Sequence, residues 1–362
     1  MEFLILLTIP LVLAVLGFIF LKGITWKEFL IQTGLQLAIA AASAGIIYSS
    51  NTSDQEIWNG YVTGKKKEYV SCSHSYDCHC HTSQSCSGAG KNRTCFPQRV
   101  CDTCYEHTND WDWEVYTSLQ ETHDISRIDR RGSFEPPRWT AVEIGEPVAS
   151  LHSYTNYIKA APNTLFRHQG LTEKYKKFIP EYPDHIYDYY RIDRLVLVNG
   201  AQVADREVWN QKLSEINARL GHDKQANMIV VLVKDLPEDF YYALEEAWIG
   251  GKKNDIVLVV GFNSQLTPQW SVVMAWTTKE LFKIKLRDHV MDLPKLTSAS
   301  VATILRGDVT QFYQRKPMAD FDYLRASITP STTQWVVSLL FGLLAAFGLT
   351  YFFHREDLHR KW

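Results

Sequence analysis

All seven cysteines of this 362-residue chain lie in one short stretch, and four histidines stand among or beside them. The cysteine spacing is Cys72-x5-Cys78-x-Cys80-x5-Cys86-x8-Cys95-x5-Cys101-x2-Cys104. The histidines are His74, His79, His81 and His107. Cysteines concentrated in this way indicate a small module held together by covalent cross-links or by a metal ion.

Two interpretations of the cysteine-rich stretch are open. In an oxidising compartment the cysteines would form disulfides, which a loop-rich segment without its own core needs. Alternatively, Cys78, Cys80, Cys101 and Cys104, with neighbouring histidines, would offer thiolate and imidazole ligands to zinc, the one cofactor that the sequence suggests. Because seven is odd, three disulfides with a free cysteine and two disulfides with a mixed metal site both fit. A location outside the cytoplasm, argued below, favours disulfides.

The segment after the cysteines, residues 111–116, alternates its side chains in a way that predicts a strand. Asp110, Asp112 and Glu114 would then share this region and could bind calcium. No glycine-turned loop accompanies them, so a polar strand face is the favoured interpretation.

Two aspartates, Asp235 and Asp255, flank apolar runs near the middle of the chain, where loops at strand ends often form binding sites. A metal held between them would indicate an enzyme. However, the sequence contains no Gly-x-Ser-x-Gly, no His-Glu-x-x-His and no dinucleotide fingerprint. The glycines and lysines of residues 250–253 come between a helix and a strand, the wrong order for a phosphate loop, and indicate a helix C-cap. The sequence therefore favours a protein that is not an enzyme.

Strand and helix patterns alternate through residues 185–325, which predicts an α/β domain. The predicted strands are residues 190–198, 227–233, 256–260 and 270–276. The predicted helices are residues 205–220, 237–248 and 297–315. We expect a largely parallel sheet with helices on both faces. Residues 117–184 form a connecting β/α region, in which residues 147–160 are predicted to be helical.

Residues 227–260 read NMIVVLVKDLPEDFYYALEEAWIGGKKNDIVLVV, and this run resembles the core of the TPM-domain family. The similarity covers about residues 190–320, and its most specific part is Trp248-Ile-Gly-Gly-Lys-Lys-Asn-Asp255. That family has an Asp-Asn-Gly before its second strand, whereas this chain has Asn254-Asp255-Ile256 and no glycine there. The resemblance implies a membrane-anchored α/β domain. The whole chain, with its CDTCYEH and PPRWTAVEIGEP segments, also resembles uncharacterised membrane proteins of tailed phages, which implies a source and a location but no activity.

Three apolar segments lie at the two ends of the chain, at residues 3–21, 29–48 and 335–353. Each is long enough to cross a bilayer as a helix. The first lacks the basic residues that precede the apolar core of a signal peptide, so we interpret it as an anchor. The second contains glutamines and many small residues, which suit close packing in a helical hairpin; an amphipathic helix lying in the interface is the alternative.

Basic residues beside these segments predict the orientation of the chain. Lys22 and Lys27 lie between the first two segments, and Arg355, Arg360 and Lys361 follow the third. Because such residues stay on the cytoplasmic side, we expect the N-terminus and residues 50–333 outside the cytoplasm and a cytoplasmic tail at residues 354–362. The membrane would be the inner or plasma membrane, with the soluble part in the periplasm of a Gram-negative host.

The predicted architecture thus combines α+β and α/β parts on a membrane anchor. It has two transmembrane helices at 1–49, a cysteine-rich β module at 50–116, the connecting region at 117–184, the α/β domain at 185–325 and a transmembrane helix at 334–353. A formal net charge of -2 argues against nucleic acid as a partner. The favoured function is a membrane-anchored extracytoplasmic binding or scaffold protein, phage-encoded, whose TPM-like domain contacts a membrane or periplasmic protein. The alternatives are a phosphatase-like hydrolase and a regulator of a membrane complex that acts through Ala40 and Ala44.

Overall fold

The computed structural model describes residues 2–21, 24–87, 94–161 and 170–355. Lys22 and the part of the predicted tail beyond Arg355 lie outside the described residues. The described chain forms a bundle of three long helices, an antiparallel sheet with a long hairpin inserted in it, and a mainly parallel sheet covered by helices.

The described helices have the following bounds. They are α1 (Glu2–Phe20), α2 (Trp26–Thr52), α3 (Pro137–Thr140), α4 (Tyr157–Ala160), α5 (Leu171–Tyr175), α6 (Arg206–Lys224), α7 (Phe240–Ala247), α8 (Leu281–Met291), α9 (Ser298–Phe312) and α10 (Thr332–Arg355), with a 3-10 helix at Met318–Ser327. The strands are β1 (Ser53–Val70), β2 (Ser75–Ser87), β3 (Thr94–Tyr105), β4 (Asp110–Thr117), β5 (Thr122–Ile125), β6 (Pro147–Thr155), β7 (Ile186–Tyr187), β8 (Arg191–Ile192), β9 (Leu195–Val198), β10 (Asn227–Lys234), β11 (Asp255–Phe262) and β12 (Pro268–Ala275).

The long helices α1, α2 and α10 pack on one another as a bundle. Gly17 lies against Thr350 and Gly342 lies against Pro10, so α1 and α10 run in the same direction at close approach. The side chain of Gln32 donates to the carbonyl of Ala346 near the end of α10, and Gln334 at its start donates to Asn51 near the end of α2, so α2 is antiparallel to α10 and α1. By length and apolar composition, α2 and α10 are each able to cross a membrane, whereas the described apolar part of α1, Thr8–Phe20, is shorter.

Helix α2 continues into strand β1 at consecutive residues, Thr52 and Ser53. The junction is fixed from the side, because the backbone N–H of Asn156 donates to the carbonyl of Thr52 at 2.6 Å and its side chain donates to Asp54 at 2.8 Å. Next to it, a small core joins α4 to the 3-10 helix through Tyr157, Ile158, Phe321 and Leu324.

The antiparallel sheet has the strand order β5-β4-β1-β6. Residues 147–155 belong to its edge strand β6, so the predicted helix at 147–160 is wrong apart from the single turn of α4. The reason is tertiary pairing: β6 is hydrogen-bonded along residues 53–61 of β1, and its exposure alternates from Leu151 to Thr155 as in a half-buried strand. The sheet also unites the two regions that the sequence separates at residue 116.

The second sheet has the order β12-β11-β10-β9. Strands β9, β10 and β11 are parallel and β12 is antiparallel. One face packs on α6, α8 and α9, and the other packs on α5 and α7. This arrangement confirms the predicted α/β architecture of residues 185–325. The predicted strand at 190–198 is shorter in the structure, where β9 begins at Leu195, and helix α8 was not predicted.

Candidate functional site

The β2–β3 hairpin, residues 75–105, projects from the antiparallel sheet between β1 and β4. Three disulfides cross-link it, and they are Cys78–Cys104, Cys80–Cys101 and Cys86–Cys95. The predicted disulfide framework with one free cysteine is therefore confirmed. Cys78, Cys80, Cys101 and Cys104, the alternative zinc ligands, are all consumed by two of these disulfides, so they offer no thiolates to a metal.

The hairpin has almost no buried surface of its own. Along β2 every residue is exposed or half-buried, and the described side chains of β3 are largely exposed as well. Several aromatic and aliphatic side chains are turned to solvent, and they are Tyr76, Phe96, Val100 and Tyr105. The disulfides therefore replace the hydrophobic core that a two-stranded element cannot build.

The seventh cysteine, Cys72, lies at the base of this hairpin and is buried and free. It belongs to the connection between β1 and β2, together with His74. His107 and Asp110 come from the connection between β3 and β4 and from the first residue of β4. The two connections are brought together because Val70 pairs with Asp110 and the N–H of Glu106 donates to the carbonyl of His74.

Four potential ligand atoms of this base cluster face one another. The Sγ of Cys72 lies 3.7 Å from Nδ1 of His107 and 3.9 Å from Nδ1 of His74. Each carboxylate oxygen of Asp110 contacts a different histidine. Oδ2 lies 3.3 Å from Nδ1 of His74, and Oδ1 lies 3.3 Å from Nδ1 of His107. All four ligand atoms lie within 4.8 Å of one another, so this group is able to hold a metal ion.

Asp110 is the most buried member of the cluster, with no exposed side-chain surface. Its Oδ2 accepts hydrogen bonds from the guanidinium of Arg127 at 2.9 Å and from the N–H of Ser73, whereas Oδ1 is buried without any hydrogen-bond partner. Burial opposes ionisation, but the contacts with Arg127 and with the N–H of Ser73 together outweigh it and hold the pKa of Asp110 below its usual range. Arg127 is itself fixed by Asp112 at 2.6 Å.

The three acidic residues considered as calcium ligands contact different partners in the structure. Asp112 is engaged by Arg127, and Glu114 accepts a hydrogen bond from the hydroxyl of Tyr116 at 2.6 Å. Only Asp110 turns toward the cluster with Cys72. The structure therefore separates the three acidic residues that the sequence grouped.

The other predicted pair, Asp235 and Asp255, is not brought together. Asp235 follows the last residue of β10, and Asp255 is the first residue of β11. These strands are parallel and in register from Asn227 opposite Asp255, so the two carboxylates lie at opposite ends of the sheet. With about 3.3 Å per residue over eight residues, their separation is about 25 Å. A shared metal is excluded by this distance.

Asp255 serves a buried polar network between the two sheets. It accepts hydrogen bonds from Asn227, from the N–H of Lys252 and from the hydroxyl of Tyr182, all between 2.7 and 2.8 Å. Burial raises the pKa of Asp255 to about 6. The same network continues through Asn59, whose amide donates to Asn227 and to the carbonyl of Ala226. We interpret Asp255 as a structural acid that joins the sheets.

The glycine–lysine turn at 250–253 behaves as a helix end. Gly250 and Gly251 have positive φ angles, and their N–H groups donate to carbonyls of α7 and its C-cap. The ammonium of Lys252 lies 2.6 Å from Asp54 of β1, where it links the sheets. These contacts agree with the predicted C-cap.

A polar cavity of about 640 Å³ lies between β6, β8 and helix α6. Glu146 is its most engaged acidic group, and it accepts from Arg138 and Arg191 at 2.8 Å each. Burial would raise the pKa of Glu146, but these two guanidinium groups lower it instead. Neither Asp235 nor Asp255 lines this cavity, so it does not restore the predicted acid pair.

Comparison of the chain with protein-family models, with curated proteins and with solved structures gives no match. The resemblances to the TPM-domain family and to phage membrane proteins therefore stay predictions.

Proposed function

We propose that this protein is a membrane-anchored binding protein that presents the β2–β3 hairpin to a protein partner outside the cytoplasm. The observation that carries the proposal is that three disulfides are placed in one exposed hairpin and that the structure shows none elsewhere in the described chain. The α/β domain, with its TPM-like sequence, serves as the scaffold on which this element is held.

The location of the cross-links argues for recognition. A two-stranded hairpin is marginally stable in water, and each disulfide that closes a loop stabilises it by about 2–4 kcal/mol. Because the hairpin is exposed along its length, this stabilisation fixes the shape of a surface and adds little to the buried cores. A surface fixed in advance loses less conformational entropy when it binds, which raises affinity. Exposed Tyr and Phe side chains are the types that dominate protein interfaces.

The helix bundle supports the membrane anchor and its orientation. Since α1 and α10 run parallel and α2 runs against them, the start of α1 lies at the end of the bundle next to the sheets. Lys27 and Arg355 lie at the opposite end. Basic residues favour the cytoplasmic side, and disulfides favour an oxidising compartment, so both observations support sheets outside and a cytoplasmic C-terminus.

The two alternatives receive less support. The hydrolase alternative relied on Asp235 and Asp255, which the parallel register separates. The regulator alternative relied on Ala40 and Ala44, but both are half-buried, and Ala40 lines a small gap inside the bundle with Pro10 and Gly342. Bulky residues at Ala40 would disturb the bundle itself and would not probe a partner.

A photo-crosslinking amino acid placed at Phe96 of the full-length protein in its host membrane tests the proposal. We expect a discrete adduct of a single added mass after irradiation, because Phe96 is exposed on the hairpin. Leu281, equally exposed on helix α8, is the matched control position and should give no adduct. Adducts from Leu281 together with none from Phe96 would move the binding surface to the α/β domain and refute the proposal.

A further inference from the structure

We infer that Cys72, His74, His107 and Asp110 bind one Zn²⁺ ion at the base of the hairpin. The set offers one sulfur, two imidazole nitrogens and one carboxylate oxygen, all of them zinc ligands. This site is distinct from the CxxC cysteines, which are in disulfides.

The spacing of the ligand atoms fits a tetrahedron around zinc. With Zn–N and Zn–O bonds near 2.1 Å and Zn–S near 2.3 Å, tetrahedral geometry places N and O about 3.4 Å apart and S and N about 3.6 Å apart. The S–N distances are 3.7 and 3.9 Å, and Oδ1 of Asp110 lies 3.3 Å from Nδ1 of His107, whereas the 3.3 Å contact of His74 is with Oδ2. These three edges are within about 0.3 Å of the tetrahedral values, and all four ligand atoms lie within 4.8 Å of one another, so a small closure of the cluster would bring them around one ion.

A second observation points to a ligand independently of these distances. Oδ1 of Asp110 is fully buried, and although Nδ1 of His107 lies 3.3 Å away, it accepts no hydrogen bond. An ionised oxygen without a partner in a buried site is costly, and native proteins pair such atoms. Oδ1 faces the imidazole of His107 and the sulfur of Cys72, which is the position from which it would coordinate zinc.

A nucleophilic Cys–His–Asp relay does not fit this geometry. In such a relay one ring nitrogen of the histidine faces the nucleophile and the other is held by the carboxylate. Here the same atom, Nδ1, is the nearest approach to both the sulfur and the carboxylate in each histidine. Donor atoms that converge on one point suit a cation and not a proton relay.

The surroundings favour a closed structural site. The chain supplies four ligands, which leaves no position for water or substrate in a tetrahedral zinc site. Arg127 holds the second oxygen of Asp110 and is in turn held by Asp112, the kind of outer contact that orients metal ligands. Because two ligands come from each connection, the ion would clamp together the two strands that enter and leave the hairpin.

The same assignment explains why the cysteine count is odd. Cys72 lies only six residues before Cys78 and would compete with it for Cys104 during oxidation. A thiolate bound to zinc is withheld from that exchange. The zinc site thus goes beyond the proposed binding role, and it holds whether or not the hairpin meets a partner.

Metal analysis of the full-length protein, purified in mild detergent and supplied with zinc chloride alone, tests the inference. We expect one zinc per chain, and we expect His74→Ala combined with His107→Ala to lose it. His81→Ala, on the same hairpin but exposed and away from the cluster, is the matched control and should retain the full equivalent. Asp110→Asn, which preserves shape and removes the charge, should weaken zinc binding by at least about tenfold, as loss of a ligand contact does.

Cobalt replacement and thiol reactivity keep the inference testable if a variant does not fold. Cobalt-loaded wild-type protein should show the visible bands of a tetrahedral ion and a thiolate charge-transfer band. One thiol should react with a maleimide only after chelation. Zinc retained at one equivalent by the double histidine variant, or Cys72 found in a disulfide, or an octahedral cobalt spectrum, would each overturn the assignment.

Discussion

The two carboxylate oxygens of Asp110 have different roles, because one stabilises the fold and the other is available to bind a metal ion. Arg127 and Ser73 hold Oδ2, whereas Oδ1 accepts no hydrogen bond and lies 3.3 Å from Nδ1 of His107 in the cluster. The sequence placed Cys72, His74 and His107 in the cysteine-rich stretch, but the predicted zinc ligands were Cys78, Cys80, Cys101 and Cys104, and Asp110 was grouped with Asp112 and Glu114. The ligands form two short motifs, Cys-x-His and His-x2-Asp, which lie on either side of the 31-residue hairpin. Only the pairing of β1 with β4 brings these two motifs together.

Asp255 gives a pH prediction at the same scale. Its pKa is about 6 in the folded protein and near 3.8 when unfolded, so the folded state keeps the proton longer. The contribution of Asp255 to stability therefore falls by up to about 3 kcal/mol as pH rises from about 4 to about 6, and it stays at the lower level above that. Urea unfolding of the detergent-solubilised chain at several pH values should show the free energy of unfolding of the wild type falling by this amount relative to that of Asp255→Asn.

Asp235→Asn is the control for this measurement, because Asp235 is exposed at the far end of β10. It should follow the wild-type slope. A parallel pH profile for wild type and Asp255→Asn would show that the burial of Asp255 does not govern this transition.

At the scale of elements, strands with continuous apolar runs were predictable and strands with mixed sequence were not. β10 and β11 are buried on both faces, and their runs of valine, leucine and isoleucine indicate that directly. β6 was predicted as a helix because its polar and apolar residues carry no clear period before its pairing with β1 is known. β1 was not predicted as an 18-residue strand, since its partners lie on both sides and come from distant parts of the chain.

The hairpin and the sheets should respond differently to reduction. With the disulfides reduced, the exposed hairpin loses its main source of stability, whereas β10 and β11 keep their buried contacts. Hydrogen exchange monitored by mass spectrometry should therefore show faster exchange in β2 and β3 after reduction, by at least about tenfold, and little change in β10 and β11. Unchanged protection of β2 and β3 would mean that contacts other than the disulfides hold the hairpin.

At the scale of the whole molecule, the bundle and the two sheets form a connected structure with two attachments. The chain leaves the bundle through α2 and returns through α10, and the side chain of Gln334 donates to Asn51 at 2.7 Å where the two helices meet the sheets. Composition and length were sufficient to predict these helices. Their relative directions agree with the orientation predicted from the basic residues, whereas the faces that meet, such as Gly17 with Thr350, could not be predicted from single segments.

The proposed orientation predicts which surfaces a membrane-impermeant reagent reaches. A cysteine introduced at Leu281, exposed on α8, should react with such a maleimide in intact spheroplasts. A cysteine at Lys27, exposed at the start of α2, should react only after the membrane is permeabilised. The buried Cys72 gives a low background for both. The reverse labelling pattern would invert the topology and remove the compartment argument for the disulfides.

The uninterrupted passage from α2 into β1 has a mechanical consequence. No linker separates Thr52 from Ser53, and Asn156 holds the junction, so the antiparallel sheet is attached directly to the end of helix α2. Strand β1 has 18 residues and is at most about 60 Å long, and the hairpin follows at the end that lies away from α2. In the proposed orientation, the length of β1 would fix the distance from the bilayer at which the hairpin meets a partner, and no flexible linker would vary it.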